Sequence, residues 1–294
     1  MDFGICIPNF RRGTDPETML AATRTADRLG WHSAFTTDHI LVDGAERGKD
    51  YRHIYEALAS VAWLAGQTRS IRLGMSVLVV PMRNALVLAK ELATIDALSE
   101  GRLIAGVGIG WNRVEFESLG VGGRFAHRGA YLEETIALWR HLWAGGAGPY
   151  EGRFDSFEEA YFSPLPPQGA DLPVWIGATA EPALVRAGRI ADGYHATRAD
   201  PATMRERVRV VGEAATAVGR PMPTVSARLS VDFTGKREGP SILSGTPTEM
   251  GAVVAEFAAA GTDLLALDFG ETDPDLAAKA IERFDREVLP AIEV

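Results

Sequence analysis

One segment of the sequence combines glycines, an aromatic ring and a side-chain amide in a pattern suited to binding a flat molecule. Gly106, Gly108 and Gly110 alternate along an apolar run, and Trp111 and Asn112 follow directly. Alternating glycines leave one face of a strand without side chains, so that another molecule can lie against its backbone. Tight packing would also explain the glycines, but it would not explain Trp111 and Asn112. We therefore expect a flat redox ring to bind here.

Proton transfer at such a site needs a group that titrates near neutral pH, and Asp38-His39 supplies one. The pair follows the second predicted strand, and a histidine at the carboxyl end of a strand can reach a bound ring. The alternative is that Asp38 caps a helix and His39 is an ordinary loop residue. His195, in the sixth predicted strand, is a weaker candidate of the same kind.

The turn after the fifth predicted strand has features of a phosphate site. Its sequence, Gly177-Ala178-Thr179, leads into a helix whose first N–H groups, together with the Thr179 hydroxyl, suit an anion. An ordinary turn explains the same residues. Since the net charge is −9, an anionic ligand must be held by such local dipoles or by a few arginines.

Other kinds of chemistry are disfavoured. The six histidines show no metal-ligand spacing on one element, and there is no Gly-x-Ser-x-Gly motif. The one cysteine, Cys6, excludes an internal disulfide framework. The predicted strand ends form an apolar site with few acid–base groups, which suits a reaction whose difficult step belongs to an organic cofactor.

Composition favours a protein of the cytoplasm. The chain of 294 residues is 46% hydrophobic and 23% charged, as in ordinary globular proteins. It shows no signal-peptide pattern and no apolar run long enough to span a bilayer. Its negative charge argues against non-specific binding to nucleic acid, which requires a basic face. We therefore expect neither a membrane nor a nucleic acid as a partner.

The elements that must position these residues repeat eight times as strand and helix. The predicted strands are Phe3–Asn9, Ser33–Thr37, Ile71–Val80, Leu103–Gly110, Pro173–Ala178, Gly193–Thr197, Thr224–Phe233 and Leu264–Phe269. Their continuous hydrophobicity indicates strands buried on both faces, as in a parallel sheet wrapped by helices. Eight such units favour an α/β fold of the (β/α)8 TIM-barrel type. A doubly wound sheet would require a Gly-x-Gly-x-x-Gly turn after the first strand.

We interpret residues 1–294 as one barrel domain whose active site lies at the carboxyl ends of the strands. The predicted helices are Thr14–Gly30, Tyr55–Thr68, Asn84–Ser99, Arg128–Ala144, Glu181–Ile190, Pro201–Val218, Thr246–Gly261 and Asp273–Leu289. Residues 145–171 are rich in Gly, Pro and aromatics and are predicted to be an insertion with a hairpin around Tyr150–Phe154. The polar segment 234–245 is predicted to be a mobile loop.

Segments that occur in the same order in a known family extend over most of the chain. They are Thr37–His39, Leu73–Leu78, Gly106–Asn112 with Glu115-Phe116 and Leu119-Gly120, Arg128 with Glu134, Leu138-Trp139 and Leu142-Trp143, Tyr150–Phe154, and Val174–Gly177 through Ile190–Gly193. With these segments the sequence resembles the luciferase-like monooxygenase superfamily, whose members are bacterial-luciferase-type barrels. Within it, the sequence is similar to the oxidoreductases that depend on the deazaflavin coenzyme F-420.

The resemblance implies a role for each matching residue. In the family, a non-prolyl cis peptide in the third strand backs the coenzyme ring, and the matching bond is Ser76–Val77. Asp38 and His39 match positions beside the reactive centre of the ring, and Gly177–Thr179 matches the phosphate loop. The expected cofactor-binding residues are Asp38, Ser76, Val77, Gly108, Gly110, Trp111, Gly177, Ala178 and Thr179.

The sequence departs from the family pattern at two places. Many relatives have two glycines where this chain has Gly177-Ala178, and some have a carboxylate acid near Trp111-Asn112. The expected catalytic residues are therefore His39 as proton donor or acceptor, Asp38 beside it, and Asn112 as an orienting group.

Three functions fit these residues. The first is hydride transfer between coenzyme F-420 and a small organic substrate, and Arg11 and Arg12 would favour this coenzyme because it carries an anionic oligoglutamate tail. The second is oxygenation with reduced FMN delivered by a separate reductase. The third is a cofactor-binding barrel without catalysis. The resemblance also implies a homodimer, and a partner enzyme that reduces the coenzyme.

The substrate pocket is expected to vary with specificity. It would be lined by the loops after Asp38, Gly110 and Phe233 and by the insertion at 145–171. Four large apolar residues would make it moderately hydrophobic if they faced it: Trp63, Phe116, Phe154 and Phe157.

Overall fold

Parallel strands from along the whole chain close into a barrel. The structure, a computed structural model, describes residues 1–44, 46–146 and 148–292. Its strands are β1 (Asp2–Cys6), β2 (Ser33–Thr36), β3 (Arg72–Met75), β4 (Leu78–Val79), β5 (Leu103–Gly108), β6 (Tyr150–Glu151), β7 (Ser156–Phe157), β8 (Val174–Ala178), β9 (Gly193–Ala196), β10 (Thr224–Asp232), β11 (Ile242–Ser244) and β12 (Leu264–Asp268). Parallel pairing runs β1–β2–β3–β5–β8–β9–β10–β12 and then returns to β1. The predicted eight-stranded TIM barrel is confirmed.

The third position of the barrel is divided by a bulge. β3 pairs with β2 and β5, and the chain resumes as β4, whose Leu78 and Val79 also pair with β5. The two residues between them, Ser76 and Val77, are joined by a cis peptide bond. The predicted cis bond is therefore confirmed, whereas the prediction of one continuous strand over Ile71–Val80 is wrong at the bulge.

Helices cover the outside of the barrel. They are α1 (Pro16–Arg28), α2 (Ala57–Ala65), α3 (Ala85–Leu98), α4 (Arg113–Ser118), α5 (Arg128–Trp143), α6 (Glu181–Ile190), α7 (Pro201–Thr216), α8 (Pro247–Ala259) and α9 (Pro274–Arg283). Side-chain caps explain several starts: Asp15, Asp200 and Asp273 each accept the N–H three residues on, and Thr246 forms a capping box with Glu249. Within the described ranges, no helix has the length and apolarity needed to cross a membrane.

The apolar face of α5 packs against α3. Leu132, Ile136, Trp139 and Trp143 are almost fully buried, as their helical spacing predicts. The indole N–H groups of Trp139 and Trp143 donate to the carbonyl oxygens of Ala85 and Ala89. The tryptophans therefore fill the core with their rings while their polar atoms are satisfied by the neighbouring helix.

Two segments outside the ring of strands also form sheet structure. The predicted hairpin is confirmed, because β6 and β7 pair antiparallel with Tyr150 opposite Phe157. The segment 234–245, predicted only as a polar loop, contains β11, which pairs parallel with the end of β10. Helix α4 was not predicted either, since its six residues are too few to show helical periodicity.

Candidate active site

A cavity of about 710 Å³ lies at the carboxyl ends of the barrel strands. Its size falls within the range of cofactor and small-molecule sites, about 300–1,000 Å³. Its wall contains ten predicted residues, Asp38, His39, Ser76, Val77, Gly108, Gly110, Trp111, Gly177, Ala178 and Thr179, but not Asn112. The barrel therefore brings together nearly all of the predicted site from distant parts of the chain.

The glycines of β5 and β8 make room for the bulge. A Cβ atom on Gly108 would lie 2.5 Å from Cγ2 of Val77, and one on Gly177 would lie 2.8 Å from Cγ1 of the same residue. A Cβ atom on Gly106 would overlap with the carbonyl oxygen of Met75. Tight packing, the alternative explanation, thus accounts for these glycines. Val77, rather than bare strand backbone alone, presents the surface against which a ring could lie.

His195 connects the bulge to β10. Its Nε2 atom lies 2.7 Å from Oγ of Ser76, and its Nδ1 atom lies 2.8 Å from Oγ of Ser226. Burial, reinforced by the positive charge of Arg228, lowers the pKa of His195 to about 3. The ring is therefore neutral at ordinary pH and both nitrogens are occupied. His195 lines the cavity, but this geometry gives it a positioning role there rather than a role in proton transfer.

Glu115 is hydrogen-bonded to His39. The Oε2 atom of Glu115 lies 2.8 Å from Nδ1 of His39, and Oε1 accepts the backbone N–H groups of Ile40 and Leu41. Burial alone would raise the pKa of Glu115, but these hydrogen bonds hold it below its usual value. An ionised Glu115 accepts a hydrogen bond from a protonated Nδ1, so Nε2 is the ring nitrogen of His39 that this contact does not engage. Reasoning from the sequence did not assign Glu115 to the site.

Two aromatic rings pack against the imidazole of His39. The ring of Tyr51 lies 4.4 Å from it between centroids, and the ring of Trp111 meets it edge-on at 5.6 Å. Both rings line the cavity. Because packing and a hydrogen bond fix the imidazole together, it is preorganised for contact with a bound molecule.

Asp38 is bound to the barrel by several donors. Its Oδ2 atom accepts the N–H of Val79 at 2.8 Å, and Arg83 donates to both of its oxygens at 2.6 and 2.8 Å. Arg83 also pairs with Glu56. This network attaches the loop that carries His39 to β4, directly after the bulge. Although Asp38 lines the cavity, its oxygens are engaged in holding the loop in place.

Asn112 lies just before α4 and is buried, with 4% of its surface exposed. Its Nδ2 atom has no hydrogen-bond partner among the described residues. The residue that reaches His39 is Glu115, one turn further along the chain. The orienting role predicted for Asn112 therefore falls, by geometry, to Glu115.

The predicted phosphate turn lines the side of the cavity formed by β8 and β9. Residues 177–180 precede α6, and no side chain caps the first N–H groups of this helix. Arg198 and Arg207 line the same side, and Arg207 donates to the carbonyl oxygen of Thr197. A helix start and two guanidinium groups attract anions, so this arrangement suits a phosphate, and the phosphate site stays a prediction.

Two further arginines extend this side of the cavity. Asp232, at the end of β10, accepts the backbone N–H groups of Lys236 and Arg237 and thereby fixes the turn that brings Arg237 to the cavity. Arg128 reaches the cavity from the start of α5. We call Arg128, Arg198, Arg207 and Arg237 the arginine row. Among the described residues, no carboxylate forms a salt bridge with any of the four. The expectation of an apolar site with few ionisable groups is therefore wrong.

Two arginines share one aspartate on the side formed by β12, β1 and β10. Arg11 donates to both oxygens of Asp268 at 3.0 and 2.7 Å, and Arg228 donates to Oδ2 at 3.1 Å. Burial alone would raise the pKa of Asp268, but the two guanidinium groups hold it at about 2. We call these three residues the floor cluster. Arg11 is thus engaged with Asp268, and Arg12, its predicted companion in binding an acidic tail, does not line the cavity.

The insertion does not contribute to the cavity wall. No described residue between 145 and 171 lines it, because Glu134 of α5 holds the hairpin by accepting the N–H groups of Phe154 and its two neighbours. Trp63, Phe116, Phe154 and Phe157 are also absent from the wall. The expected hydrophobic lining from these residues is therefore wrong. The loop residue Tyr51 and the segment after Phe233 do contribute, as predicted.

Comparison with known proteins gives one family. The family model described as luciferase-like monooxygenase matches residues 1–238. An F420-dependent glucose-6-phosphate dehydrogenase of Microbacterium testaceum (strain StLB037) is 32% identical over 199 residues, which are 66% of this chain and 56% of that protein. This chain therefore spans little more than half the length of that relative.

Two solved structures share the fold. A coenzyme F420 dependent tetrahydromethanopterin reductase from Methanopyrus kandleri has a TM-score of 0.81 and 20% identity, over 99% of both chains. The oxygenating constituent of 3,6-diketocamphane monooxygenase from Pseudomonas putida, in complex with FMN, has a TM-score of 0.83 and 17% identity, over 100% of this chain and 99% of that one. These matches confirm the predicted resemblance and the predicted barrel.

Proposed function

This chain belongs to the luciferase-like monooxygenase family, and we propose that it is an oxidoreductase that transfers a hydride between coenzyme F-420 and a small organic substrate. The observation that carries the proposal is the buried His39–Glu115 pair in the wall of the cavity. The similarity to an F420-dependent dehydrogenase supports the choice of coenzyme. Hydride transfer to or from an organic molecule usually needs one proton as well, and His39 is the group built to handle it.

The residues of the cavity fit such a coenzyme. Val77, Ile109 and Trp111 supply apolar wall for a flat ring, and the start of α6 together with the arginine row suits a phosphate with further acidic groups. When bound, the deazaflavin supplies a two-electron carrier that reacts poorly with oxygen. Among the described residues, the four arginines of the row form no salt bridge, and this concentration of positive charge in a chain of net charge −9 supports a ligand with several negative charges.

His39 exchanges a proton with the substrate at its Nε2 atom. Glu115 keeps the other nitrogen in one protonation state and stabilises the positive charge that arises when Nε2 accepts a proton. Tyr51 and Trp111 limit rotation of the ring and cover it from bulk water. Asp38 acts through its hydrogen bonds, because it fixes the loop that carries His39.

Titration of the apo-protein with coenzyme F-420 and with FMN tests the proposal. We expect binding of coenzyme F-420 in the micromolar range, about −8 kcal/mol, and binding of FMN at least about tenfold weaker. Fluorescence of the coenzyme and calorimetry give independent values. A preference for FMN would overturn the choice of coenzyme.

Oxygenation with reduced FMN remains the second candidate function, favoured by the fold shared with an FMN-binding monooxygenase. The same cavity and the same His39–Glu115 pair would serve it. FMN carries one phosphate, so the four arginines of the row would exceed what it requires. Oxygen consumption with reduced FMN, and its absence with the reduced deazaflavin, would distinguish the two.

A cofactor-binding barrel without catalysis is the third function that fits the sequence, and it would bind coenzyme but show no turnover in a screen of small alcohols, aldehydes and acids. Two further predictions from the sequence accompany the proposal. A homodimer is expected and is measured by sedimentation. A partner enzyme that reduces the coenzyme is expected if the bound coenzyme works in its reduced form.

A further inference from the structure

We propose that the floor cluster binds a carboxylate group of the substrate, so that the substrate class is a small organic monocarboxylate. The cluster consists of Arg11, Asp268 and Arg228, which all line the cavity on the side of β12, β1 and β10. That the bound molecule is a substrate rests on the proposed function. The anion site itself rests on the geometry and charge of the cluster.

The cluster carries one uncompensated positive charge. Asp268 is ionised, and its carboxylate neutralises one of the two guanidinium groups. The nearest other titratable groups are neutral, since burial raises the pKa of the Cys6 thiol to about 11 and His195 is held in its uncharged form. Among the other carboxylates of the wall, Asp38 is paired with Arg83.

Asp50, the remaining acidic residue of the wall, is exposed to solvent. Water and salt screen its charge far more than they screen the largely buried charges of Arg228 and Asp268. A single excess positive charge in a protected position favours a ligand group with one negative charge. A carboxylate fits this requirement better than a phosphate dianion, for which the arginine row is the better partner.

The guanidinium of Arg228 is held rigidly before any ligand arrives. It donates to Oγ1 of Thr37 at 2.9 Å and to the carbonyl oxygen of Ser76 at 3.4 Å, in addition to Asp268. Only 16% of its side chain is exposed, against 26% for Arg11. Because these donors are already fixed, little conformational entropy is lost when a small anion binds, and this favours its recognition.

A continuous wall of rings connects the cluster to His39. The guanidinium groups of Arg11 and Arg228 lie 4.2 and 5.4 Å from the ring centre of Phe10. Phe10 lies 5.4 Å from Tyr51, and Tyr51 lies 4.4 Å from His39. A molecule whose carboxylate binds to the cluster therefore extends along an aromatic surface towards Nε2 of His39.

The position of the cluster separates it from the predicted phosphate turn. In the ring of eight strands, β1 is four places from β8 and β12 is three places from it, so Arg11 and Asp268 lie across the cavity from the turn after β8. Arg228, on β10, is two places from β8. An elongated coenzyme held by the turn would leave the cluster for a second molecule. The two anion sites would then recognise different ligands.

Calorimetry with benzoate and benzamide as a matched pair of probes tests the proposal on the apo-protein. The two probes have similar shape but differ in charge. We expect benzoate to bind about tenfold or more tightly than benzamide. In Arg11→Gln the excess charge is removed while the Arg228–Asp268 pair remains, and the preference for benzoate should disappear. Arg11→Lys keeps the charge and should keep most of the preference.

Arg12→Gln is the matched control, because Arg12 is an exposed neighbour of Arg11 outside the cavity wall. It should bind benzoate as the wild type does. Equal binding of the two probes to the wild type would overturn the proposal, and so would a preference that survives Arg11→Gln or is lost in Arg12→Gln. Tighter binding of inorganic phosphate than of benzoate at this site would reject the monocarboxylate class.

Repeating the titration with coenzyme bound separates this proposal from the proposed function. Benzoate binding that persists in the presence of the coenzyme places the carboxylate site beside it. Competition between the two would show that the cluster belongs to the coenzyme site and would overturn the inference. Failure of the protein to bind coenzyme F-420, with the benzoate site intact, would reject only the proposed function.

Discussion

The imidazole of His39 and the carboxylate of Glu115 are 76 residues apart in the chain and 2.8 Å apart in the fold. One comes from the loop after β2 and the other from α4, after β5. Because the barrel sets both segments at its carboxyl end, two residues from separate elements act as one acid–base unit.

Replacing His39 should remove proton transfer and leave coenzyme binding nearly unchanged. For His39→Gln we expect turnover of whichever substrate the wild type accepts to fall about 10²- to 10⁴-fold, the usual contribution of a general acid or base. Steady-state kinetics and coenzyme titration measure the two effects. His127→Gln, a change at an exposed histidine, should leave both unaffected. Unchanged turnover in His39→Gln would support a barrel whose catalysis does not involve this residue.

Replacing Glu115 by glutamine keeps its shape and removes its charge. The side-chain oxygen can still accept the N–H groups of Ile40 and Leu41, but the imidazolium of His39 loses its ionic partner. We expect kcat to fall roughly 10- to 1,000-fold with a smaller change in KM. The pH dependence of kcat should also move. Glu117→Gln, on the exposed face of the same helix, is the control. A loss of stability with unchanged kcat and pH profile would make Glu115 a purely structural residue.

Adding one methyl group at Gly108 should destabilise the wall of the cavity. The new Cβ atom would lie 2.5 Å from Val77, closer than packed carbon atoms allow. For Gly108→Ala we expect the free energy of unfolding to fall by about 1–3 kcal/mol in urea titrations. Gly123→Ala, where nothing lies within 4 Å of the new atom, should change it little.

A second substitution checks the cause of that loss. Val77→Ala removes the methyl groups that would collide, so the double variant should recover part of the stability lost in Gly108→Ala. The coupling energy from the double-mutant cycle should then be favourable. Strict additivity of the two changes would show that the contact with Val77 is not the reason for a glycine at this position.

The free energy of unfolding should decrease as the pH is lowered, over a range set by the pKa values of His195 in the unfolded and folded states. In the unfolded chain this histidine has its ordinary pKa of 6.5, whereas in the fold the pKa is lowered to about 3. Below pH 6.5 the unfolded state binds more protons. Hence the stabilisation is complete above pH 6.5 and is lost as the pH falls towards 3, by up to about 1.4 kcal/mol per pH unit.

Urea titrations at pH 7.5, 6.0 and 5.0 measure this slope. His195→Gln should be less stable at pH 7.5, because its contacts with Ser76 and Ser226 change, and should show a shallower decline between pH 6.0 and 5.0. His127→Gln serves as the exposed control. The same slope in His195→Gln as in the wild type would assign the pH dependence to other groups.

The elements that are long and apolar could be predicted from the sequence, since burial on both faces leaves a continuous hydrophobic run. This explains why all eight barrel strands were found, including β5 and β12. The break at Ser76–Val77 has no signature in hydrophobicity, and only the family resemblance located it. Helix α4 was missed because a six-residue helix is shorter than two turns.

The candidate site was predicted where residues follow directly on a strand, and it was missed where they lie further along the loops. His39 and Thr179 belong to the first group. Arg207 and Arg237 belong to the second, because the sequence does not show that a helix or a turn returns them to the cavity. Glu115 occurs in one of the segments that the sequence shares with the family, but that position alone does not assign it to the site. Its role depends on a contact with His39 that no local pattern reveals.

The way in which Val77 fills the space over Gly108 and Gly177 constrains how this protein can be redesigned. The pocket can be widened by trimming Val77, but it cannot be narrowed from the two facing strands without displacing their neighbour. Three positions on three adjacent strands therefore have to be chosen together. A library aimed at a bulkier or a slimmer coenzyme should vary them as one unit.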